Sequence, residues 1–260
     1  MGLLEGRVGM VTGAGRGIGR AIALALSSEG SAVIAADIRL EEVNATASQI
    51  IEKGGRAIAV EMDVTSPASI ENAFHLAMQE FQTVDILVNN AGVVYLRDAL
   101  TITKEEFDKT FSVNTTGTFL CSQFFAKVLK EKGSGGSIVN VASNAGKVGF
   151  PGQCDYNAAK AAVINLTRSL AMEFAPLGIN VNAVCPGAVE TEMLFEVAKF
   201  IVDQNRQGDP VALMRSFAPP QLSRLVQPEE VAIIVAFLAS DKAAIIRGQS
   251  INLDGGATPY

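Results

Sequence analysis

From its first residues to its last, the chain alternates short runs of β-branched and apolar residues with longer stretches of helical apolar period. That rhythm admits few architectures. It is the pattern of repeated β-α-β units, in which helices cover both faces of a parallel sheet. Strands are expected near residues 6–12, 32–37, 56–62, 84–89, 137–142, 179–184 and 249–253. Most are continuous apolar runs, as in strands buried on both faces. Helices are expected over 18–29, 41–53, 67–81, 104–131, 156–174 and 228–239, with Pro67 and Pro228 at first-turn positions. The expected fold class is α/β: one doubly wound domain over residues 1–260, with a seven-stranded parallel sheet and helices on both faces.

Residues 188–226 break the rhythm. They carry Pro210, Pro219 and Pro220 and mix apolar clusters such as Met193-Leu194-Phe195 with charges. A connection this long inside a compact domain is usually a substrate lid, with a helical decoration as the alternative.

Composition removes several function classes. With 48% hydrophobic residues the chain can build a large core and is not disordered. A net charge of −6, without a Lys/Arg run, disfavours nucleic acid. The longest apolar run, 231–239, is about half of the ~20 residues that span a bilayer, so no membrane span is expected. The opening residues, with Glu5 among them, lead into an apolar stretch too short for a signal-peptide core, so a cytoplasmic protein is expected. Cys121, Cys154 and Cys185 are far apart with no C-x-x-C spacing, which reads as buried free thiols and no metal site. The single histidine, His75, lies beside Phe74 on the third helix and reads as structural. No G-x-S-x-G elbow accompanies it, so a Ser-His-Asp hydrolase is disfavoured.

Thr12-Gly13-Ala14-Gly15-Arg16-Gly17-Ile18-Gly19 falls where the first strand passes into the first helix. Glycines allow a tight turn and close approach of a pyrophosphate, and the helix start offers free N–H groups and its positive dipole end. No Lys-Ser or Lys-Thr follows, so this is no Walker loop. Asp37 closes the second strand near the ~20-residue interval expected for an acid holding an adenosine ribose, which makes the domain Rossmann-type. Its carboxylate suits the ribose hydroxyls of NAD and would repel the 2′-phosphate of NADP. Arg16 and Arg39 are the opposing features, since either guanidinium can grip a phosphate.

Ser143 follows the fifth strand, and Tyr156-Asn157-Ala158-Ala159-Lys160 opens the next long helix. The i, i+4 spacing puts Tyr156 and Lys160 on one face. A neighbouring ammonium and a positively charged nicotinamide would both lower a phenol's pKa of about 10 and make Tyr156 a usable base. Ser143, at a strand's carboxyl end, is placed to hold a substrate oxygen.

In these motifs, their order and their spacing, the chain resembles the short-chain dehydrogenase/reductase family over essentially its whole length. The glycine-rich turn matches at Gly13, Gly17 and Gly19, the adenine-contacting acid at Asp63 in Asp63-Val64, and the N-N-A-G segment at Asn89-Asn90-Ala91-Gly92. The resemblance puts the catalytic Asn, Ser, Tyr and Lys on Asn114, Ser143, Tyr156 and Lys160. The family's P-G-x-V-x-T falls on Pro186, Gly187, Val189 and Thr191. It implies reversible hydride transfer between a carbinol carbon and nicotinamide, with Tyr156 as acid/base, Ser143 orienting the oxygen, Lys160 on the nicotinamide ribose and Thr191 on the carboxamide. Asn114 lies in Val113-Asn114-Thr115-Thr116-Gly117, a helix-poor stretch where a kink is plausible. In the family that kink frees a carbonyl for a water relay from Lys160. The resemblance also implies a homotetramer built on the helices 104–131 and 156–174.

The substrate is an alcohol or ketone whose identity is less legible. Asn144, Gly149, Gln153 and Cys154, with residues 93–96 and Met193 of the lid, are expected to face it, although Cys154 also suits a packed small residue. Asn144, Gln153, Glu190 and Glu192 favour a polyol or sugar, while Met193, Leu194, Phe195 and Phe217 favour a simpler carbinol. Two rivals are a 3-oxoacyl-thioester reductase and a non-catalytic NAD-binding sensor. Asp37 and the absence of a docking arginine in Ser169-Leu170-Ala171-Met172-Glu173 oppose the first; the intact Ser143, Tyr156 and Lys160 oppose the second.

Overall fold

A computed structural model describes residues 2–258. Strands β1 (Val8–Thr12), β2 (Ala32–Asp37), β3 (Ala57–Glu61), β4 (Ile86–Asn89), β5 (Gly136–Val141), β6 (Ile179–Pro186) and β7 (Ser250–Leu253) pair in the order β3-β2-β1-β4-β5-β6-β7. Every pairing is parallel; Val11 of β1 lies opposite Ala35 on one side and Val88 on the other. The strand order reverses between β1 and β4, and there the carboxyl ends of an open parallel sheet leave a crevice for a ligand.

The period of two within each strand sends alternate residues to opposite faces. Val11, Val33, Val88, Val139 and Val184 meet α1 (Gly17–Ser28), α2 (Leu40–Glu52) and α9 (Pro228–Ala239) through residues such as Ile22, Leu26, Val43, Ile50 and Val235. Met10, Ile34, Leu87, Ile138 and Val181 meet α3 (Pro67–Phe81), α5 (Gly117–Lys132) and α6 (Cys154–Glu173) through Ile70, Phe74, Phe125, Leu129 and Leu170. Fully burying a side chain of this size contributes about 1.5–3 kcal/mol, so the two layers fix the sheet between them.

Two expectations need correction, the unbroken helix over 104–131 and the buried Cys154. The helix expected over 104–131 is broken: α4 (Lys104–Phe111) leads into a π-helical turn over Ser112–Thr116 before α5 starts. The kink expected near Asn114 is therefore a π-bulge, produced where polar and β-branched residues weaken the regular ladder. Residues 188–226, expected to be a lid with a helical decoration as the alternative, hold two helices, α7 (Glu192–Asn205) and α8 (Pro210–Ser216). Of the three thiols expected to be buried, Cys154 is exposed, because it sits in the first turn of α6 at the rim of the fold. His75 is exposed on α3 and contacts Gln79 through its ring nitrogen.

Candidate active site

The glycine-rich turn is held by side chains as well as by its glycines. Thr12 Oγ1 accepts the backbone N–H groups of Asn90 and Ala91, each at 3.0 Å, and Asn90 Nδ2 donates to the carbonyls of Thr12 and Gly13. Thr46 Oγ1 donates to the Ala14 carbonyl at 2.9 Å, and the Arg20 guanidinium donates to the Gly15 carbonyl. Gly13 has φ +64°, and a Cβ on Gly19 would lie 2.0 Å from the Gly13 oxygen, so the helix meets the turn only as glycine. This is a close backbone approach at a helix start, with space a Cβ would fill, and it fits the pyrophosphate of a dinucleotide. Gly17 and Ile18 begin α1, and Arg16 at its N-cap turns its guanidinium to Glu192 of α7.

Asp37, at the end of β2, is buried. Its Oδ2 accepts the Gly15 N–H at 3.2 Å and its Oδ1 the Arg39 N–H at 3.1 Å. Arg39 directs its Nε to Glu42 at 3.2 Å, closer than to Asp37 at 3.8 Å. Asp63 folds back on Thr65 at the end of β3, and buried Val64 packs under Gly117. On the far wall, Gly187 packs on Asp254, and Val189 bridges to Val226. Thr191 caps α7 by accepting the Leu194 N–H, with its methyl facing Gly17.

The four chemical residues converge from three elements. Ser143 continues β5, accepts the Ala145 N–H at 3.1 Å and donates to the Pro186 carbonyl at 3.5 Å. Tyr156, in the first turn of α6, hydrogen-bonds to Ser143. One turn on, Lys160 is buried; its Nζ donates to the Val141 carbonyl at 2.8 Å and lies 5.7 Å from the Tyr156 ring centre. Asn114, buried in the π-turn, donates to the carbonyls of Val93 and Thr110 and accepts the Val93 N–H. A Cβ on Gly92 would stand 2.7 Å from Asn114 Oδ1 and 3.5 Å from Lys160 Nζ, so glycine there leaves room for both groups. The Asn114 carbonyl accepts Thr118 Oγ1 at 2.9 Å, so a water at that carbonyl would share it with a hydroxyl.

Burial pushes the Tyr156 phenol above its ordinary value, and the Ser143 hydrogen bond pulls it partly back. Of these two effects on the phenol, desolvation is the larger. Burial lowers the Lys160 ammonium to about 8, opposed by Cys185. The charge is thus present at neutral pH and is lost as pH rises through that value.

Among the residues expected to face substrate, Gln153 is half-buried at the start of α6, while Cys154 and Met193 are exposed on the rims. Asn144 is buried, with its Nδ2 3.5 Å from Thr258 Oγ1. Sequence reasoning missed Arg97, Thr110 and Asp155, which form a buried polar chain beside Tyr156. Among the described residues no helix is long and apolar enough to cross a membrane.

The family model described as enoyl-(acyl carrier protein) reductase matches residues 13–258. Similar chains include a 3-oxoacyl-[acyl-carrier-protein] reductase of Synechocystis sp., 39% identical over 100% of both chains. A sorbitol dehydrogenase of Cereibacter sphaeroides is 39% identical over 97% of this chain and 98% of its own. The crystal structure of levodione reductase superposes with a TM-score of 0.91 at 33% identity, covering 97% of this chain and 98% of that one. The chain belongs to the short-chain dehydrogenase/reductase family and is an oxidoreductase of the kind that acts on CH–OH groups. Its Rossmann-type fold is one that binds NAD or NADP.

Proposed function

We propose that this enzyme interconverts a secondary alcohol (a polyol, a sugar or a simple carbinol) and its ketone, with NAD as the hydride carrier. The observation that carries the reading is the Tyr156–Ser143 hydrogen bond at the sheet's carboxyl rim, with the Lys160 ammonium behind the ring. Gly13, Arg16, Gly17, Ile18 and Gly19 would hold the pyrophosphate, Asp37 the adenosine ribose, and Asp63 and Val64 the adenine. Asn90, Ala91, Gly92, Pro186, Gly187, Val189 and Thr191 would hold the nicotinamide half. The dinucleotide, when bound, supplies the hydride acceptor and, when oxidised, a positive charge that favours phenolate. Ser143 holds the substrate oxygen, and Tyr156 removes its proton in oxidation and returns it in reduction. Lys160 anchors the ribose, and Asn114 passes the proton on toward solvent.

Residues 188–226 serve as the lid. The Glu190–Gln227 hydrogen bond and the Val189–Val226 bridge fix its base, and the Arg16–Glu192 ion pair draws α7 towards the phosphate turn. The rival reading, reduction of a 3-oxoacyl thioester, has relatives at the same identity. The buried Asp37 carboxylate weighs against its usual NADPH. Met172, 80% exposed on α6 where a docking arginine would stand, weighs against an acyl-carrier partner. A screen for NADH formation with polyols, sugars, secondary alcohols and hydroxyacyl thioesters separates the two. Turnover confined to thioesters with NADPH would replace the proposed substrate class.

The same helices support a homotetramer. Phe119 on α5 and Ala158, Ala161 and Met172 on α6 present apolar surface outward. Light scattering at micromolar concentration is expected to give four subunits, and a monomer there would remove the assembly.

A further inference from the structure

Behind the catalytic tyrosine lies a buried ion pair that the hydride-transfer scheme does not use. Asp155 precedes Tyr156 in α6; its side chain is 1% exposed and that of Arg97 is 18%. Asp155 Oδ2 accepts the Thr110 hydroxyl at 2.6 Å and faces Arg97 Nη1 at 3.4 Å. The Thr110 carbonyl in turn accepts Asn114 Nδ2 at 3.0 Å, and Asn114 closes on both backbone groups of Val93. Arg97 itself is tethered four ways. It stacks 4.2 Å over the Tyr95 ring, pairs with Glu106 at 3.2 Å and donates its backbone N–H to the Gly152 carbonyl at 2.8 Å, besides facing Asp155. One polar chain thus runs from the loops on both sides of the substrate crevice to the residues flanking Tyr156 and Asn114.

From this arrangement we infer that Arg97 and Asp155 are positioning residues for the reaction: they couple residues 93–97 to the first turn of α6 and set where the Tyr156 hydroxyl stands. The inference rests on Tyr156 being the acid/base. The physical reason is desolvation. A buried carboxylate is costly without a partner, and Arg97 is the cation facing Asp155, so a movement of one acts on the other. The contact is also incomplete. Asp155 Oδ1 is buried with no hydrogen-bond partner, while the guanidinium carries five donors in a fork that fits both carboxylate oxygens. A small shift of residues 93–97 towards α6, as substrate fills the crevice, converts one contact into two and draws the tyrosine's turn with it.

The test uses the full chain and the best alcohol from the substrate screen, with Asp155→Asn, Arg97→Met and Arg97→Lys. Asp155→Asn keeps an acceptor for Thr110 and leaves no unpaired carboxylate. Arg97→Lys keeps the charge and is the fallback should Arg97→Met fail to fold. Expected is a fall in kcat of about 10- to 100-fold for Asp155→Asn and Arg97→Met, the scale of a small misplacement of a reacting group. Arg97→Lys should recover part of that loss. The isotope effect on kcat with substrate deuterated at the carbinol carbon should rise, and the NAD dissociation constant should stay within about twofold. A purely structural role would lower the melting temperature and leave kcat per folded molecule, and the isotope effect, unchanged; that result overturns the inference. Tyr156→Phe is run alongside. If it is inactive while the pair's variants turn over normally, the pair's role falls alone; if it is active, the assignment of Tyr156 falls and the inference with it.

Discussion

Replacing Tyr156 with Phe is expected to cut turnover by about 10²–10⁴-fold while NAD affinity stays within about twofold. The ring is retained, so packing at the start of α6 and the space beside Lys160 are preserved; only the oxygen bonded to Ser143 is removed. Neither neighbour can take its place. Ser143 carries an aliphatic hydroxyl, a far weaker acid than a phenol, and Lys160 Nζ donates to the Val141 carbonyl behind the ring. The measurement is steady-state kcat with the best alcohol, beside fluorescence titration of NAD. The pH profile gives a second check. Burial holds the phenol above its ordinary value, and opposing it takes the Lys160 charge, which is present below about 8 and lost above it. A Lys160→Met variant is therefore expected to push the acidic, ascending limb of the kcat profile for alcohol oxidation to higher pH. Retained turnover in Tyr156→Phe would reject this residue as the acid/base and with it the proposed mechanism.

The sequence carried the strands and the parallel sheet well, because both faces of the central strands are covered and most read as near-continuous apolar runs, β6 being interrupted by Asn180 and Asn182. Local motifs also placed Ser143, Tyr156 and Lys160, because an i, i+4 pair and a strand end are defined by neighbours in sequence. What stayed hidden depended on distant contacts or on ambiguous signals. Arg97 and Asp155 meet across 58 positions with no period to announce them. The prolines of residues 188–226 marked a break in the strand–helix rhythm, yet Pro210 occupies the first turn of α8, capped by Asp209, whose carboxylate accepts the Val211 and Ala212 N–H groups. Proline is compatible with a helix start and not with its interior, so the residue that looked like a breaker was a beginning. Residues 112–116 lacked good helix formers, which marked a disturbance, but only hydrogen bonding distinguishes a π-turn from a simple kink.

Asp37→Ser is expected to raise the NADP-to-NAD ratio of kcat/KM by about 10²-fold, mostly through weaker NAD use, since hydrogen bonds to a charged group contribute about 1.5–3 kcal/mol. Three features make this carboxylate decisive. It is buried at the strand end and aligned by the Gly15 and Arg39 N–H groups, so its direction is set before any ribose arrives. Arg39, the residue best placed to welcome a 2′-phosphate, has its guanidinium drawn to Glu42. Arg16, the other candidate, is turned across the crevice to Glu192. Glu42 limits the switch as well: its Oε2 is buried without a partner, and a Cβ on Gly15 would stand 2.9 Å from it and 3.1 Å from Asp37 Oδ2. Two carboxylates thus crowd the same turn, and a phosphate entering after Asp37→Ser still meets the second. Asp37→Ser with Glu42→Gln should therefore favour NADP further than Asp37→Ser alone, because Arg39 is then released from its acidic partner. The check is kcat/KM for both dinucleotides with one alcohol across the two variants. An unchanged ratio would mean that the ribose is held elsewhere, and that NAD preference does not come from the end of β2.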